Sequence, residues 1–315
     1  MKVLYVDAVG TRGAAERLAA GANKYHAPAN EARALVACSF FDRGKPVRPP
    51  LWDAKNPGAR DACIEWADVV HMIHQTSWRS IDRADMIGKK PTIYQRFTLV
   101  DKGDWYATLW RPEDFKHMKL ALVAEGWQRY PLWRGLDYTI LPMAFDLGDP
   151  LFQPAPIADR EKKIFFGVMN KKNGPPAPKA YESTVKALKD LKLDVAFQKP
   201  YDECMARRAR SWCSIDEVAT PMLHFAAFES LAQGVPCITR FDALTEATVK
   251  EATGATSLPF LNADVESLRV AVDQALSVDP ENMARISSEL RGWMERHMHP
   301  RAVLAQYLAL YEEAS

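Results

Sequence analysis

Thr220-Pro221-Met222-Leu223-His224-Phe225-Ala226-Ala227-Phe228-Glu229-Ser230-Leu231-Ala232-Gln233-Gly234-Val235-Pro236 is the best-punctuated stretch of the 315-residue chain. Thr220 is a good N-cap, and Pro221 at a first helical position gives up an amide that has no partner there anyway. Gly234 suits the left-handed position just past a helix, and Pro236 stops the helix from continuing. The punctuation predicts a helix over 221–233. It follows an apolar run, Ser211–Ile215, so strand and helix alternate here. Amides of Met222, Leu223 and His224 at the head of such a helix favour an anion such as a pyrophosphate. Glu229 is the odd residue, because Phe225, Ala226, Phe228 and Ala232 surround it at helical spacing. A carboxylate in that company needs a partner. Either a nearby Arg or Lys pairs with it, or it accepts hydrogen bonds from a ribose diol.

Outward from this segment the same alternation continues in both directions. Toward the N-terminus, strand candidates are Lys2–Asp7, Ala34–Phe41, Val69–His74, Pro91–Phe97, Leu120–Ala124 and Tyr138–Leu141. A helical stretch ends near Ala22 and another covers Pro57–Ala67. A proline-marked connection, Asp149 to Pro156, separates these from a second series: Lys163–Gly167, a helix over Tyr181–Leu191, Leu193–Phe197, Ser211–Ile215 and Pro236–Thr239. Three segments at the end, Val265–Leu276, Glu281–His297 and Arg301–Glu313, have 3.6-residue apolar spacing. Strands separated by helix-length segments imply parallel pairing and doubly wound sheets. The expected boundaries are 1–148 for an N-terminal domain, 149–298 for a C-terminal domain, and 299–315 for a last helix. Ligands of open α/β sheets bind beyond the carboxyl ends of the strands.

Composition removes several alternatives. Hydrophobic residues at 48% and charged residues at 26% are an ordinary globular balance. The 41 Lys and Arg nearly cancel the 40 Asp and Glu, so charge alone does not indicate a nucleic-acid binder. Residues 1–145 carry 21 basic against 16 acidic side chains, however, which points an anionic partner at the first half. Seven of the nine tryptophans also lie there, as core filling or as a surface for a flat ligand. No apolar run reaches membrane-spanning length, and the start has too short an apolar stretch for a secretion signal. Five cysteines with no paired metal spacing read as reduced thiols, mostly core, in a cytoplasmic protein.

Phe228-Glu229-Ser230-Leu231-Ala232-Gln233-Gly234-Val235-Pro236-Cys237-Ile238 resembles the donor-site stretch of GT-B glycosyltransferases of the group 1 type. Their pattern is a glutamate, a small-residue helix, Gly-x-Pro and a strand. Two further stretches support this register. Tyr138-Thr139-Ile140-Leu141-Pro142, with Phe145-Asp146 and Phe152-Gln153-Pro154, is similar to the family's interdomain crossing. Ile164-Phe165-Phe166-Gly167 with Lys171-Lys172-Asn173-Gly174 is similar to its strand and basic loop around the donor diphosphate. The resemblance implies two Rossmann-like domains with an interdomain cleft and C-terminal helices, the last of which, 299–315, crosses back to the first domain. It also implies a hexosyltransferase taking a nucleotide-sugar, a UDP-sugar first of all, as co-substrate without cofactor or metal. Glu229 would hold the ribose, and Lys171 or Lys172 with the helix amides the diphosphate. The chain departs from the family at two places: Pro221 stands where a second glutamate is usual, and Val168 where an arginine is.

The other candidates lie in the first half. Gly10-Thr11-Arg12-Gly13 follows the first strand. Its glycines permit close backbone approach and Arg12 can reach a phosphate, though neither a P-loop nor a dinucleotide fingerprint is present. It is either a substrate-contacting loop or a plain turn. His74, Asp101 and Asp7 are candidate bases for deprotonating an acceptor hydroxyl, with His71 close to the first in sequence and Asp104 close to the second. Arg207, Arg208 and Arg210 fall late on a helix, where basic residues complement the dipole or contact a phosphate. No Asp-x-Asp pair and no zinc spacing occurs. The acceptor expected on base rates is a glycan or lipid-linked saccharide. A hydroxymethylated pyrimidine of DNA, as in phage enzymes of this fold, is the alternative. A nucleotide-sugar epimerase or a non-catalytic nucleotide-sugar binder is the reading from a different class.

Overall fold

In the first series of elements the inner strands are buried along most of their length, as parallel strands covered on both faces must be, and the two edge strands less so. The structure is a computed structural model that describes residues 1–7, 14–36, 57–73, 90–96, 118–129, 133, 135–168, 181–197 and 199–315. The described residues form two compact units, Met1–Ala144 with Pro300–Ser315, and Phe145–His299.

Unit 1 contains β1 (Lys2–Asp7), α1 (Ala14–Tyr25), β2 (Glu31–Val36), α2 (Pro57–Trp66), β3 (Val69–Ile73), β4 (Thr92–Arg96), β5 (Met118–Val123) and β6 (Thr139–Leu141). The six strands are all parallel, in the order β2-β1-β3-β4-β5-β6. The switch point of this doubly wound order lies between β1 and β3. β2 begins three residues before the expected Ala34, and residues 37–41 of that expectation lie outside the described residues. Asn23 of α1 explains the early start: its side chain pairs with both the amide and the carbonyl of Ala32 at 2.8 Å, fixing the strand against the helix.

Unit 2 contains β7 (Glu161–Val168), α3 (Tyr181–Ala187), β8 (Leu193–Phe197), α4 (Tyr201–Ala209), β9 (Ser211–Ile215), α5 (Phe225–Ala232), β10 (Cys237–Thr239), α6 (Ala243–Thr253), β11 (Leu261–Asn262), α7 (Leu268–Ser277) and α8 (Pro280–His297). Its parallel strands run β11-β10-β9-β7-β8, with the switch point between β7 and β9. One face of the sheet packs Ile164, Phe166, Cys213, Ile215 and Ile238 against Leu268 and Val272 of α7. Elsewhere in the unit Phe152, Phe225 and Phe228 pack edge-on or tilted around Phe145, with ring centroids 5.4–6.2 Å from its own. The helix expected over Tyr181–Leu191 stops at Ala187, and the two-residue β11 has no signal in the pattern.

The last helix, α9 (Pro300–Ala314), belongs to unit 1. It lies against α1 at Gly21, whose absent side chain leaves Pro300 and Leu304 the space: a Cβ there would sit 3.2 Å from Pro300. Its inner face also carries Tyr307 and Tyr311, which join Tyr5 and His71 in a fully buried polar cluster. The Tyr311 hydroxyl lies 2.7 Å from His71 Nδ1 and 3.1 Å from the Tyr5 hydroxyl. Gln95 donates to Tyr307, which donates in turn to the Pro142 carbonyl.

Candidate functional site

β9 is buried throughout and ends at Asp216 and Glu217, themselves nearly inaccessible. The chain then turns around the Glu217 carboxylate, which accepts from the amides of Ala219 at 2.6 Å and Thr220 at 3.2 Å. Met222 donates its amide to the Thr220 carbonyl, and the Thr245 hydroxyl donates to the Pro221 carbonyl. Met222 and Leu223 bury their side chains in the core. These contacts hold 218–224 as a turn and delay the helix, so α5 begins at Phe225 rather than at Pro221. Carboxylate capture of the amides and burial of two apolar side chains outweigh the Thr-Pro start signal, which is worth only about 1 kcal/mol. The first-turn amides of α5 therefore belong to Phe225 and Ala226, not to Met222 and Leu223.

His224 is the N-cap, with an extended backbone at φ −108°. Its side chain makes no capping bond; Nδ1 instead faces the buried Asp216 carboxylate at 3.2 Å. Asp216 thus orients the imidazole at the head of α5.

At the other end of the helix the expectation from Gly234 holds in detail. Its φ is +64°, and Gly234 and Val235 donate to the carbonyls of Leu231 and Ser230, each at 2.9 Å. This is the Schellman arrangement. The carbonyls of Gln233 and Gly234 are met by the buried Arg160 guanidinium, which also reaches Ala155 and Ser287. Burial depresses Arg160 to about 10. The negative end of the α5 dipole and these carbonyls offset that cost. Nothing in the sequence marks Arg160, since all its partners but Ala155 lie more than 70 residues away.

Glu229, in the second turn of α5, has only 5% of its side chain exposed. Oε2 is paired with Arg208 at 3.0 Å, and Oε1 accepts a short hydrogen bond from the Tyr201 hydroxyl. The Arg and Lys alternative for its partner is therefore met by Arg208. Arg208 is held in turn by the Gln233 side chain at 2.9 Å and the Ala226 carbonyl at 3.1 Å. Gln233 donates to the carbonyls of Leu151 and Met205. Arg208 faces inward from the last turn of α4, while its neighbour Arg207 pairs with Asp194 and Glu203 on the more exposed side. Both arginines are occupied by carboxylates of the chain itself. Tyr201 carries no signal in the sequence beyond its place at the first position of a helix.

Of the other predicted residues, Gly10, Thr11, Arg12, Gly13, His74, Asp101, Lys171 and Lys172 lie outside the described residues. Of the tryptophans of the first half, Trp133 is buried and Trp66 has the Arg33 guanidinium over its ring at 4.0 Å. His71 is a core residue: burial pushes it down to about 3, far from the range of a general base. Cys63, Cys204, Cys213 and Cys237 are free thiols, and burial raises Cys213 to about 12, which makes it a poor nucleophile. No helix among the described residues is long and apolar enough to cross a membrane.

No family model and no curated protein matches the sequence. The fold, in contrast, is shared over the whole chain with solved glycosyltransferases. An alpha-glucosyltransferase in complex with UDP superposes with a TM-score of 0.65 at 8% identity, over 99% of this chain and 100% of that one. An alpha-glucosyltransferase in complex with UDP and a 13-mer DNA containing a central A:G mismatch gives 0.66 at 9% identity over the same shares. A glycosyltransferase from Rickettsia africae gives 0.64 at 12%, over 99% and 98%. Anabaena Alr3699/HepE in complex with UDP gives 0.63 at 14%, over 99% and 100%. At such identities the likeness is one of fold, and the fold is the GT-B arrangement of two Rossmann-like domains.

Proposed function

We propose that this chain is a glycosyltransferase that moves a sugar from a nucleotide donor, a UDP-sugar first of all, to an acceptor hydroxyl. The observation that carries the reading is Glu229. It is a carboxylate in the second turn of the helix that follows β9, beside the switch point of unit 2, on a fold shared over its whole length with UDP-bound glycosyltransferases. Open α/β sheets bind nucleotides at that edge. In this reading Glu229 accepts from the ribose, and the leaving diphosphate is met by Lys171 or Lys172 and the amides at the head of α5, without a divalent cation. Catalysis then consists of positioning and of stabilising the charge that develops on the leaving group. The acceptor oxygen bonds to the anomeric carbon as the bond to the diphosphate breaks. Its proton passes to a base, for which His74 and Asp101 are the candidates.

The acceptor belongs to unit 1, and a glycan or lipid-linked saccharide is the first choice. A hydroxymethylated base in DNA is the second, favoured by the basic surplus of residues 1–145 and by the DNA-bound alpha-glucosyltransferase of the same fold. Salt-sensitive DNA binding would select it. The deciding experiment is a thermal-shift series with UDP, GDP, ADP and CMP on the wild type and on Glu229→Gln, which keeps the side chain's size. The expected result is a rise of several degrees with UDP that is lost in the variant. No shift with any nucleotide, in a folded protein, removes the reading. Conversion of the donor sugar with no acceptor present would make the chain an epimerase, and UDP uptake without any turnover a binder.

A further inference from the structure

The two oxygens of the Glu229 carboxylate are held unequally. The Oε2 side is fixed, because Arg208 is buried and anchored by Gln233 at 2.9 Å and by the Ala226 carbonyl at 3.1 Å. Gln233, also buried, is itself locked by the carbonyls of Leu151 and Met205 at 2.8 and 2.9 Å. The Oε1 side is held by the hydroxyl of Tyr201, a partly exposed side chain at the first position of α4. Tyr201 follows Lys199 and Pro200 at the carboxyl edge of the sheet, just past β8. A phenol hydroxyl on a carboxylate is chemically the same contact as a sugar hydroxyl on a carboxylate. With Tyr201 in place, Glu229 is almost inaccessible.

We propose that Tyr201 is the gate of this carboxylate: its hydroxyl occupies the position on Glu229 Oε1 that a ribose hydroxyl of the bound nucleotide takes, and it must swing outward for that nucleotide to bind. The inference rests on the reading of Glu229 as the ribose acceptor. Arg208 is the positioning residue of the pair. It keeps the carboxylate aimed while the tyrosine exchanges with the ligand. A releasable donor on one oxygen and a locked cation on the other keeps a buried carboxylate solvated by the protein when no nucleotide is present.

The test is calorimetric titration of the full chain with two probes, UDP and 2′,3′-dideoxyuridine diphosphate, on the wild type, Tyr201→Phe and Glu229→Gln. A hydrogen bond to a charged group that no longer has to be broken corresponds to about a tenfold gain in affinity. Tyr201→Phe is therefore expected to bind UDP about tenfold more tightly than the wild type, and the dideoxy probe with unchanged affinity. Glu229→Gln is expected to lose the difference between the two probes. Tyr201→Leu provides a second variant should the phenylalanine ring rotate back over the site, and the same gain is expected of it. Wild-type binding of UDP with unchanged or weaker affinity in both tyrosine variants overturns the gate and leaves the donor site standing. An equal gain for both probes overturns it as well, since the tyrosine then obstructs the site without competing for the carboxylate. No binding of UDP by any of the folded proteins overturns the gate and the donor-site reading together.

Discussion

His71 lies in the middle of the unit 1 sheet, opposite Tyr5 in register, with its Nδ1 2.7 Å from the Tyr311 hydroxyl. Burial pushes its pKa from 6.5 to about 3, so the folded protein holds the imidazole neutral while the unfolded chain protonates it. The unfolded state therefore binds more protons between these values. The stabilisation is fully present above about pH 6.5 and is lost progressively as the pH falls toward 3. Acidification from about pH 6.5 to about pH 5 should cost unit 1 roughly 2 kcal/mol, or about 5 °C in melting temperature. In His71→Gln this part of the acid slope should disappear. Thermal melts of both proteins across that window check it, and parallel slopes would show that His71 is not the group responsible. Glu229 and Arg208 present a different arrangement, a buried pair of opposite charges. Removing either member of such a pair typically costs about 3–5 kcal/mol, which is why the neutral, isosteric glutamine is the informative variant at 229.

At the scale of elements, α5 carries the candidate residue Glu229, and its two ends are set by different physics. The head is fixed by tertiary contacts: Glu217 takes the amides of Ala219 and Thr220, and Asp216 takes the His224 ring. The tail is fixed locally by Gly234 and from outside by α8. A Cβ on Gly234 would lie 2.1 Å from Ser287 Oγ and 3.0 Å from the Ser287 carbonyl, in addition to the cost of a left-handed backbone. Strain of about 1–2 kcal/mol and overpacking of about 1–3 kcal/mol add here, because backbone cannot move aside as a side-chain tip can. Gly234→Ala is thus expected to destabilise unit 2 by about 3 kcal/mol or more, read as a shift of the urea midpoint at unchanged slope. A loss below about 1 kcal/mol would mean that α8 yields.

On the scale of the whole molecule, the chain leaves unit 1 at Ala144, builds unit 2 through His299, and returns to complete unit 1 with α9. Val303, Leu304, Tyr307, Leu310 and Tyr311 are all buried by that return. At about 1.5–3 kcal/mol for each large apolar side chain, their removal is comparable with the entire stability of a domain. Residues 145–299 expressed alone should therefore fold and melt cooperatively, whereas 1–144 alone should not. Joining 300–315 to 1–144 through a flexible linker should restore a cooperative transition in circular dichroism. Independent folding of 1–144 would show that α9 covers the unit without being needed to form it.

The amino-acid sequence by itself determined the two α/β series, nearly every described strand, the Schellman end of α5 and the oddness of Glu229 among apolar neighbours. These are short-range properties: period, turn chemistry and a charge where a methyl group is expected. Only the tertiary structure decided where α5 begins, because Met222 and Leu223 are drawn into the core and the Glu217 carboxylate takes the amides before them. Only it showed what the last helix touches in the first unit, with Tyr311 reaching His71 across 240 positions. It alone turned Arg208 from a residue of a helix end into the partner of Glu229, and set Tyr201 on the other oxygen. Such pairings follow from which charges and hydroxyls are buried together. That depends on how helices pack on a sheet, a long-range outcome with no local signature in the chain.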